Sequence, residues 1–360
     1  MKIKSYSIFL MLVLMGCNQK KETVKLNQLQ VIGSHNSYKQ AIDSSLFKLL
    51  LAKDSNALAL GYYHLPLTEQ LDLGLRGLEI DVLHDPTGGR YQYPQGIVWA
   101  KQNGIELAAH DTLHVLSEPG MKTLHVPDID FKSSCLTFKN CLNEIKNWSA
   151  AHPDHTPILI TINTKDSGVN QPGATKVLPF TEPVLDSLDA ELLSVFPVEK
   201  LITPLQVRGD HATLREAIIQ GGWPAVDAVK GRIMFILDAP EKIITTYNSN
   251  GKERPMFVSV PENDSHAAFF ILNEPLQQKD QILSLVKQGF IVRTRADAET
   301  REARTETYDR WEAAKASGAQ LISTDYYVAR LSPTGKFEIS FDKGKYSRCN
   351  PVTGLRDCKD

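Results

Sequence analysis

Two acidic residues interrupt the apolar run from Gly74 to Val82, and this stretch limits the folds open to the chain. Leucine, isoleucine and valine after a glycine-containing turn indicate a buried β-strand. Glu79 and Asp81 are two residues apart, so both side chains project from one face of that strand. Two like charges in a core are very costly unless a cation balances them. The pair therefore predicts a bound divalent metal ion, with buried ion pairs to Arg76 and Lys165 as the alternative.

A second run with the same form lies upstream, from Val31 to Ser37. It is a short apolar segment that ends in His35 and Asn36, whose side chains can transfer protons or coordinate a metal ion. The ends of two predicted strands therefore converge on one candidate site.

The composition is that of a globular protein. The chain has 360 residues, of which 42% are hydrophobic, and its formal net charge is −2. This length supports a large core, organised as one large domain or two smaller ones. Lysine and arginine are dispersed along the chain, so the sequence lacks the basic stretch typical of nucleic-acid-binding proteins, and we expect no nucleic acid partner.

Residues 1–17 resemble a bacterial lipoprotein signal. A basic start, Met1 to Lys4, precedes an apolar run, Ile8 to Met15, that is too short to span a bilayer. The resemblance implies cleavage before Cys17, lipidation of that cysteine, and a polar tether over residues 18–28. We therefore expect an exported protein, anchored by lipid to a bacterial membrane and facing the periplasm or the cell surface. An uncleaved anchor or a plain secretory signal is the alternative.

The other four cysteines form two local pairs, Cys135 with Cys141 and Cys349 with Cys358. An even count in an exported chain favours disulfides. A zinc site needs four nitrogen or sulfur ligands, and neither pair has the CxxC spacing or an adjacent histidine. We therefore predict two local disulfides.

Apolar segments of strand length alternate with segments of helical periodicity along the chain. The strand candidates are Leu29 to Ser34, Gly77 to Leu83, Lys122 to Val126, Pro157 to Asn163, Arg232 to Leu237, Ala267 to Leu272, Gly289 to Arg293 and Gln320 to Thr324. The helical candidates are Leu46 to Leu51, Phe138 to Ser149, Val184 to Val195, Leu276 to Lys287 and Glu306 to Ser317. Eight strands with helical crossovers predict an α/β fold, a single closed β/α barrel of the TIM type.

We assign the catalytic barrel to residues 29–330 as one domain, because no repeat or low-complexity linker divides it. Residues 84–121 form a long βα loop of the kind that builds the active-site face of a barrel. Residues 167–230 hold a second insertion. The tail, residues 331–360, is predicted to pack on the barrel as a short strand pair, residues 336–341 and a partner, pinned by the last disulfide.

The candidate site residues lie at the carboxyl ends of the predicted strands, which face the reaction in a barrel. They are His35 and Asn36 after the first strand, Glu79 and Asp81 on the second, His125 on the third, and Asn163 and Lys165 on the fourth. Carboxylate and amide oxygens suit calcium or magnesium. Histidines move protons near neutral pH, and a lysine can hold a phosphate.

Several motifs, in order, resemble phosphatidylinositol-specific phospholipase C, in particular its bacterial calcium-dependent branch. They are His35-Asn36-Ser37-Tyr38, Pro66-Leu67-Thr68-Glu69-Gln70-Leu71 followed by the run from Gly74 to Asp81, His125 with Asp130-Phe131, Thr137-Phe138 and Cys141-Leu142, and Arg348-Cys349-Asn350-Pro351. The similarity covers most of residues 29–358. Each motif is short, and their ordered combination is specific.

The resemblance implies a calcium-dependent phosphodiesterase in which His35 and His125 are catalytic and Asn36, Glu79 and Asp81 hold Ca²⁺. The chain departs from the family pattern at Asn163, where the family usually has a glutamate. The Asn163 carbonyl oxygen can coordinate the ion, but the site loses one of the negative charges that tune calcium affinity. His110 and His114 lie close to His125 in sequence and are alternatives to it.

The resemblance also implies that the substrate is a phosphoinositide-type phospholipid or a related headgroup. Lys165, Arg293 and Asp297 are candidates for binding its phosphate and hydroxyls, although Arg293 and Asp297 could instead form a core ion pair. Two other functions are compatible with the sequence. One is a glycerophosphodiester-type phosphodiesterase of the same barrel class, and the other is a non-catalytic surface lipoprotein that binds lipid headgroups.

Overall fold

The computed structural model describes residues 23–354 and residue 358. Residues 1–22, which carry the signal and the expected lipidation site at Cys17, lie outside the described residues. Of the expected tether, residues Leu26–Gln28 form a 3₁₀ turn, and Leu26 is buried in the core. No helix in the described part of the chain is long and apolar enough to cross a membrane.

Eight parallel strands form a nearly closed barrel, as the sequence predicts. They are β1 Leu29–Ser34, β2 Gly77–Val82, β3 Ile158–Thr164, β4 Ile233–Asp238, β5 Phe257–Val258, β6 Phe269–Ile271, β7 Ile291–Arg295 and β8 Leu321–Thr324. Their order around the barrel is β5-β4-β3-β2-β1-β8-β7-β6. A single parallel bridge between Ser259 and Phe269 spans the remaining gap between β5 and β6.

Helices surround the barrel. Within the described residues they are α1 Ser44–Lys53, α2 Leu67–Asp72, α3 Gln95–Gln102, α4 Phe138–Ala151, α5 Glu182–Val195, α6 Pro204–Arg208, α7 Leu214–Ile219, α8 Glu241–Asn248, α9 Pro275–Lys287, α10 Arg301–Thr305 and α11 Asp309–Ser317. The predicted helical segments correspond to α1, α4, α5, α9 and α11. The 167–230 insertion contains α5, α6 and α7.

Strand β2 shows how the alternation of side chains positions the acidic pair. All six of its residues are buried. Leu78, Ile80 and Val82 pack in an apolar layer together with residues of α4 and α5. Because successive side chains of a strand point to opposite faces, Glu79 and Asp81 point into the barrel.

The strand register sets a line of polar residues across the carboxyl end of the barrel. Asp81 on β2 pairs with Asn163 on β3, and Asn163 pairs with Asp238 on β4. In the part of the barrel nearer the amino ends of the strands, apolar residues such as Leu159 and Met234 belong to the buried core. The polar chemistry is therefore concentrated at one end of the barrel.

One predicted strand is wrong and one barrel strand was missed. Lys122 to Val126 is not a barrel strand: Lys122 exchanges backbone hydrogen bonds with Leu83, antiparallel to the chain leaving β2. The segment belongs to the loop between α3 and α4. The missed strand is β5, which brings the number of barrel strands to eight. Its two residues are too few to show a periodic pattern.

Both predicted disulfides form, Cys135–Cys141 and Cys349–Cys358. The tail does not form the predicted strand at residues 336–341. Instead, β9 Ser347–Cys349 pairs antiparallel with the start of β1, where Leu29 faces Cys349. The second disulfide therefore pins a strand that lies against the first barrel strand.

Candidate active site

His35 follows β1, and its ring is oriented by a carboxylate at the end of β8. Nδ1 lies 2.9 Å from Asp325 Oδ1, while Nε2 lies 3.3 Å from Arg295 Nη1 and 3.9 Å from Glu79 Oε1. Burial and, next, the Arg295 charge hold the pKa of His35 well below its usual value. His35 is therefore neutral near pH 7, with Nδ1–H donating to Asp325.

His125 has the same kind of partner although a loop carries it. Its Nδ1 lies 2.7 Å from Asp130 Oδ2, and Lys39 Nζ lies 3.2 Å from that oxygen. The Lys39 and Asp130 side chains are fully buried, whereas the His125 ring is partly exposed. The Lys39–Asp130 ion pair therefore holds the Asp130 carboxylate in place, and that carboxylate orients the His125 ring.

Tyr62 joins the two histidines. Its ring centroid lies 5.7 Å from that of His35 and 6.2 Å from that of His125. His114 is exposed, and His110 packs against Phe131 at 4.9 Å between ring centroids. The structure therefore groups His125 with His35 at the mouth of the barrel.

Asn36 is held in a left-handed backbone conformation, with φ of 50°. Its side-chain amide donates a 2.7 Å hydrogen bond to the Tyr62 hydroxyl. The opposite atom, Oδ1, is buried and has no hydrogen-bond partner among the described residues. An oriented, buried carbonyl oxygen without a donor suits a cation ligand, because leaving such an atom unpaired is costly.

Glu79 is bound by a buried arginine. Arg293 donates from Nη2 to Glu79 Oε2, from Nη1 to Asn273 Oδ1 at 2.7 Å and from Nε to Ser323 Oγ at 3.0 Å. Burial alone would raise the pKa of Glu79, but Arg293 and then His35 hold it below its usual value. Glu79 is therefore ionised, and Arg293 is its ion-pair partner. Arg76, the partner that the sequence suggested, donates to the carbonyl oxygens of Leu71 and Leu75.

Asp297 does not pair with Arg293 as the sequence allowed. It accepts hydrogen bonds from the Thr324 hydroxyl and, at 3.0 Å, from the backbone N–H of Asp325. Burial and the nearby Asp325 charge raise the pKa of Asp297 to about 7. Asp297 therefore contacts Asp325, the residue that orients His35.

Asp81 pairs with Lys165, the first residue after β3. Lys165 Nζ lies 2.9 Å from Asp81 Oδ2; the Lys165 side chain is 25% exposed, whereas that of Asp81 is fully buried. Burial raises the pKa of Asp81, and Lys165 offsets only part of that shift. Burial lowers the pKa of Lys165, but Asp81, Glu79 and Asp238 raise it more, so the lysine stays charged.

Tyr62 and Lys39 were missed by the sequence analysis, and so were three residues at the ends of barrel strands. Asp325 directly follows β8, and Asp238 ends β4, so the rule that found Glu79 and Asp81 could have found both. Burial and the Glu79 charge raise the pKa of Asp238 to about 6. Arg295, at the end of β7, lies 3.1 Å from Asp325 and was recognisable on the same ground.

The donor set fits a hard cation in chemical type. Asn36 Oδ1 lacks a partner, and Glu79, Asp81 and Asn163 add carboxylate and amide oxygens at the same end of the barrel. In the arrangement described for residues 23–354 and 358, no three acidic, histidine or cysteine side chains converge as a metal cluster. Arg293 and Lys165 occupy the two carboxylates instead.

Solved structures share this fold. The apo form of a calcium-dependent phosphoinositol-specific phospholipase C from the Gram-negative bacterium Pseudomonas sp. has a TM-score of 0.56 at 15% identity, covering 90% of this chain and 95% of that chain. A Ca²⁺-dependent phosphatidylinositol-specific phospholipase C from Streptomyces antibioticus has a TM-score of 0.54 at 17% identity, covering 84% and 95%. No curated protein matches the chain in sequence.

A family-level match extends over most of the chain. The sequence model described as "Phosphoinositide phospholipase C, Ca2+-dependent" matches residues 24–351, a span that contains every motif on which the resemblance rests. The match confirms the family predicted from those motifs, whose members are phosphodiesterases. The chain belongs to the calcium-dependent phosphoinositide phospholipase C family.

Proposed function

We propose that this protein is a calcium-dependent phospholipase C that cleaves the phosphodiester of a phosphoinositide-type phospholipid by attack of a substrate hydroxyl on phosphorus. Family and fold support the phospholipase C reaction. The observation that carries the site assignment is the pair of histidines, each with Nδ1 held by a buried aspartate and both beside Tyr62. One histidine of such a pair can take a proton from the attacking hydroxyl, and the other can give a proton to the leaving oxygen.

His35 is proposed as the base that takes the proton of the attacking hydroxyl. Its lowered pKa keeps Nε2 unprotonated near neutral pH, and Asp325 stabilises the imidazolium that forms when Nε2 accepts the proton. Arg295 lies beside Nε2 and would bind a phosphoryl oxygen of the substrate, since a guanidinium matches phosphate geometry.

His125 is proposed as the acid that protonates the leaving alkoxide. Asp130 orients its ring, so that Nε2 is the nitrogen available for proton transfer. The buried Lys39 holds Asp130 in place. Asp130 and Lys39 are positioning residues, because they act through His125.

Asn36, Glu79, Asp81 and Asn163 would hold Ca²⁺, which when bound lowers the pKa of a coordinated hydroxyl and offsets negative charge on the phosphate. Lys165, a partly exposed cation of the site, would bind the substrate phosphate. Arg293 and Asp297, predicted to bind substrate, are proposed to support it indirectly through Glu79 and Asp325.

The signal-like sequence supports a location at a membrane surface. Lipidation at Cys17 would tether the barrel to a bacterial membrane, on the periplasmic or the cell-surface side, and would keep the enzyme near its phospholipid substrate.

A headgroup panel tests this function. Hydrolysis of inositol, glycerol and choline phospholipids, and of the glycerophosphodiesters obtained from them by deacylation, is measured with the full-length chain, once with calcium and once with chelator. We expect phosphate-containing headgroup release from inositol lipids, lost in chelator and restored by calcium. Preference for glycerophosphodiesters would instead identify the glycerophosphodiester-type enzyme, and no turnover of any lipid would identify a binding protein.

A further inference from the structure

Lys165 lies on an oxygen that the proposed calcium site needs. Its Nζ is 2.9 Å from Asp81 Oδ2, an ion-pair contact, and the Asp81 side chain is fully buried. No other basic side chain is paired with Asp81 in the described part of the chain. The ammonium therefore already provides the positive charge that the buried Asp81 carboxylate requires.

The charges of the proposed ligands are balanced by protein cations. Glu79 and Asp81 contribute two negative charges, while Asn36 and Asn163 contribute none. Arg293 on Glu79 and Lys165 on Asp81 supply two positive charges. Within this set of four ligands and two protein cations, a divalent ion meets no net negative charge, and its repulsion by the Lys165 ammonium stays large even at an effective dielectric constant of about 20.

The two protein cations differ in their freedom to move. Arg293 is 2% exposed and is fixed by Asn273 and Ser323 as well as by Glu79. Lys165 has a flexible four-carbon side chain and is 25% exposed. Lys165 is therefore the cation that can leave its carboxylate.

A second carboxylate is available to the displaced lysine. Asp238 stands in register with Asn163, two residues before Lys165 in the chain. Asp238 and Lys165 are close enough to influence each other's charge state. Lys165 can thus exchange Asp81 for Asp238 without losing an acidic neighbour.

We propose that Lys165 is a built-in competitor of the metal ion. Calcium binding requires the Lys165 ammonium to leave Asp81, and the displaced ammonium then faces Asp238 and the substrate phosphate. This inference rests on the proposed calcium-dependent function. It makes Lys165 a residue that lowers calcium affinity and couples metal binding to phosphate binding.

Calcium titration of Lys165→Met tests the competition. Calorimetry is done with calcium alone, without substrate, on the full-length chain in detergent. Lys252→Met is the matched control, because Lys252 pairs with Asp186 at 2.7 Å on the exposed surface. We expect Lys165→Met to bind calcium on the order of tenfold more tightly than wild type, owing to the lost repulsion, and Lys252→Met to bind as wild type does.

The outcomes separate this inference from the proposed function. Equal or weaker calcium binding by Lys165→Met, with clear binding by wild type, overturns the competition and leaves the calcium-dependent function standing. Absence of binding by wild type and by Lys165→Met alike overturns both the competition and the calcium site. The headgroup panel then still reports whether the phosphodiesterase reaction occurs.

A measurement on the wild-type chain covers the case in which Lys165→Met does not fold. Lysines are acetylated briefly with acetic anhydride, with calcium or with chelator, and peptide mass spectrometry gives the modified fraction at each lysine. We expect calcium to raise acetylation of Lys165 severalfold and to leave Lys252 unchanged. An unchanged or reduced modification of Lys165 in calcium contradicts its displacement.

Discussion

At the scale of single residues, buried partners hold the main side chains of the site in place. Asp325 and Asp130 fix the two histidines through Nδ1, and Tyr62 fixes Asn36. Since the partners are buried, each histidine is held in one orientation, which is the geometric requirement for proton transfer. The roles of these residues are therefore separable by single substitutions.

His125→Ala should lower kcat at least about a hundredfold, the usual contribution of a general acid. His114→Ala is the control, since His114 is exposed; its kcat should stay close to wild type. Steady-state hydrolysis of inositol phospholipid gives both values. If the two variants exchange these results, His114 and not His125 is the acid.

The acid limb of the pH profile should report His35. Its pKa lies well below about 6.5, so the base stays neutral as pH falls through 6.5, and kcat/KM should decline only at more acidic pH. Arg295 is one cause of the lowering. Arg295→Met should therefore move the acid limb to higher pH, in addition to weakening substrate binding. An acid limb that stays in place in this variant would show that another group is the base.

Asn163→Glu should tighten calcium binding, because it adds a negative ligand to the proposed site and ligand charge sets calcium affinity. Turnover need not rise, since a more negative site leaves the ion less able to acidify the substrate hydroxyl. Calorimetry without substrate compares the variant with wild type. Identical dissociation constants would remove Asn163 from the metal shell, and a raised KM alone would place it against the substrate phosphate.

At the scale of elements, the close approach of β1 and β2 brings the two motif-bearing strands together. Gly33 and Gly77 face each other, and a Cβ on Gly33 would lie 2.7 Å from the Gly77 Cα. Glycine at both positions lets His35 and Asn36, just after β1, lie beside Glu79 and Asp81. This packing explains why glycine precedes the acidic pair in the sequence.

Gly33→Ala should destabilise the protein by about 1–3 kcal/mol, the usual range for overpacking a buried contact. The obstructing atoms are backbone, so the strands must separate to accept the methyl group. Gly168→Ala is the control, because its nearest neighbour is the Val177 side chain at 3.0 Å. Urea denaturation gives the free energy of unfolding of the two variants. Equal values would show that β1 and β2 can separate enough to accept the methyl group without loss of stability.

At the scale of the whole molecule, the barrel gathers residues that are distant in sequence. Glu79 pairs with Arg293, 214 residues later, and His35 with Asp325, 290 residues later. A barrel brings the carboxyl ends of all its strands to one face, so these pairs form at one end. Under the proposed function, that face must also reach a lipid surface.

Cys17→Ser should release the protein from the membrane fraction while the released protein keeps its activity on detergent-dispersed lipid. The reason is that lipidation requires the cysteine thiol, whereas the barrel begins at Leu29. Fractionation of cells and metabolic labelling with a fatty acid measure the two effects. Continued membrane association without label would favour an uncleaved anchor.

The sequence by itself determined the barrel class, the two disulfides, the family and the strand-end residues His35, Asn36, Glu79 and Asp81. These features are local: periodicity, spacing and short ordered motifs carry them. The same local reading assigned Lys122 to Val126 to the barrel, because an apolar run does not reveal whether it pairs inside the sheet or in a loop.

Only the tertiary structure decided which charges meet. The sequence offered Arg76 and Lys165 as partners of the acidic pair, and the fold chose Lys165 for Asp81 and Arg293 for Glu79. The choice depends on strand register and barrel closure, which bring side chains from different strands within about 3–4 Å, a separation at which buried charges interact strongly. The spacing of residues in the sequence does not predict such distances. The ion-pair partners of Glu79 and Asp81 are therefore known only from the closed barrel.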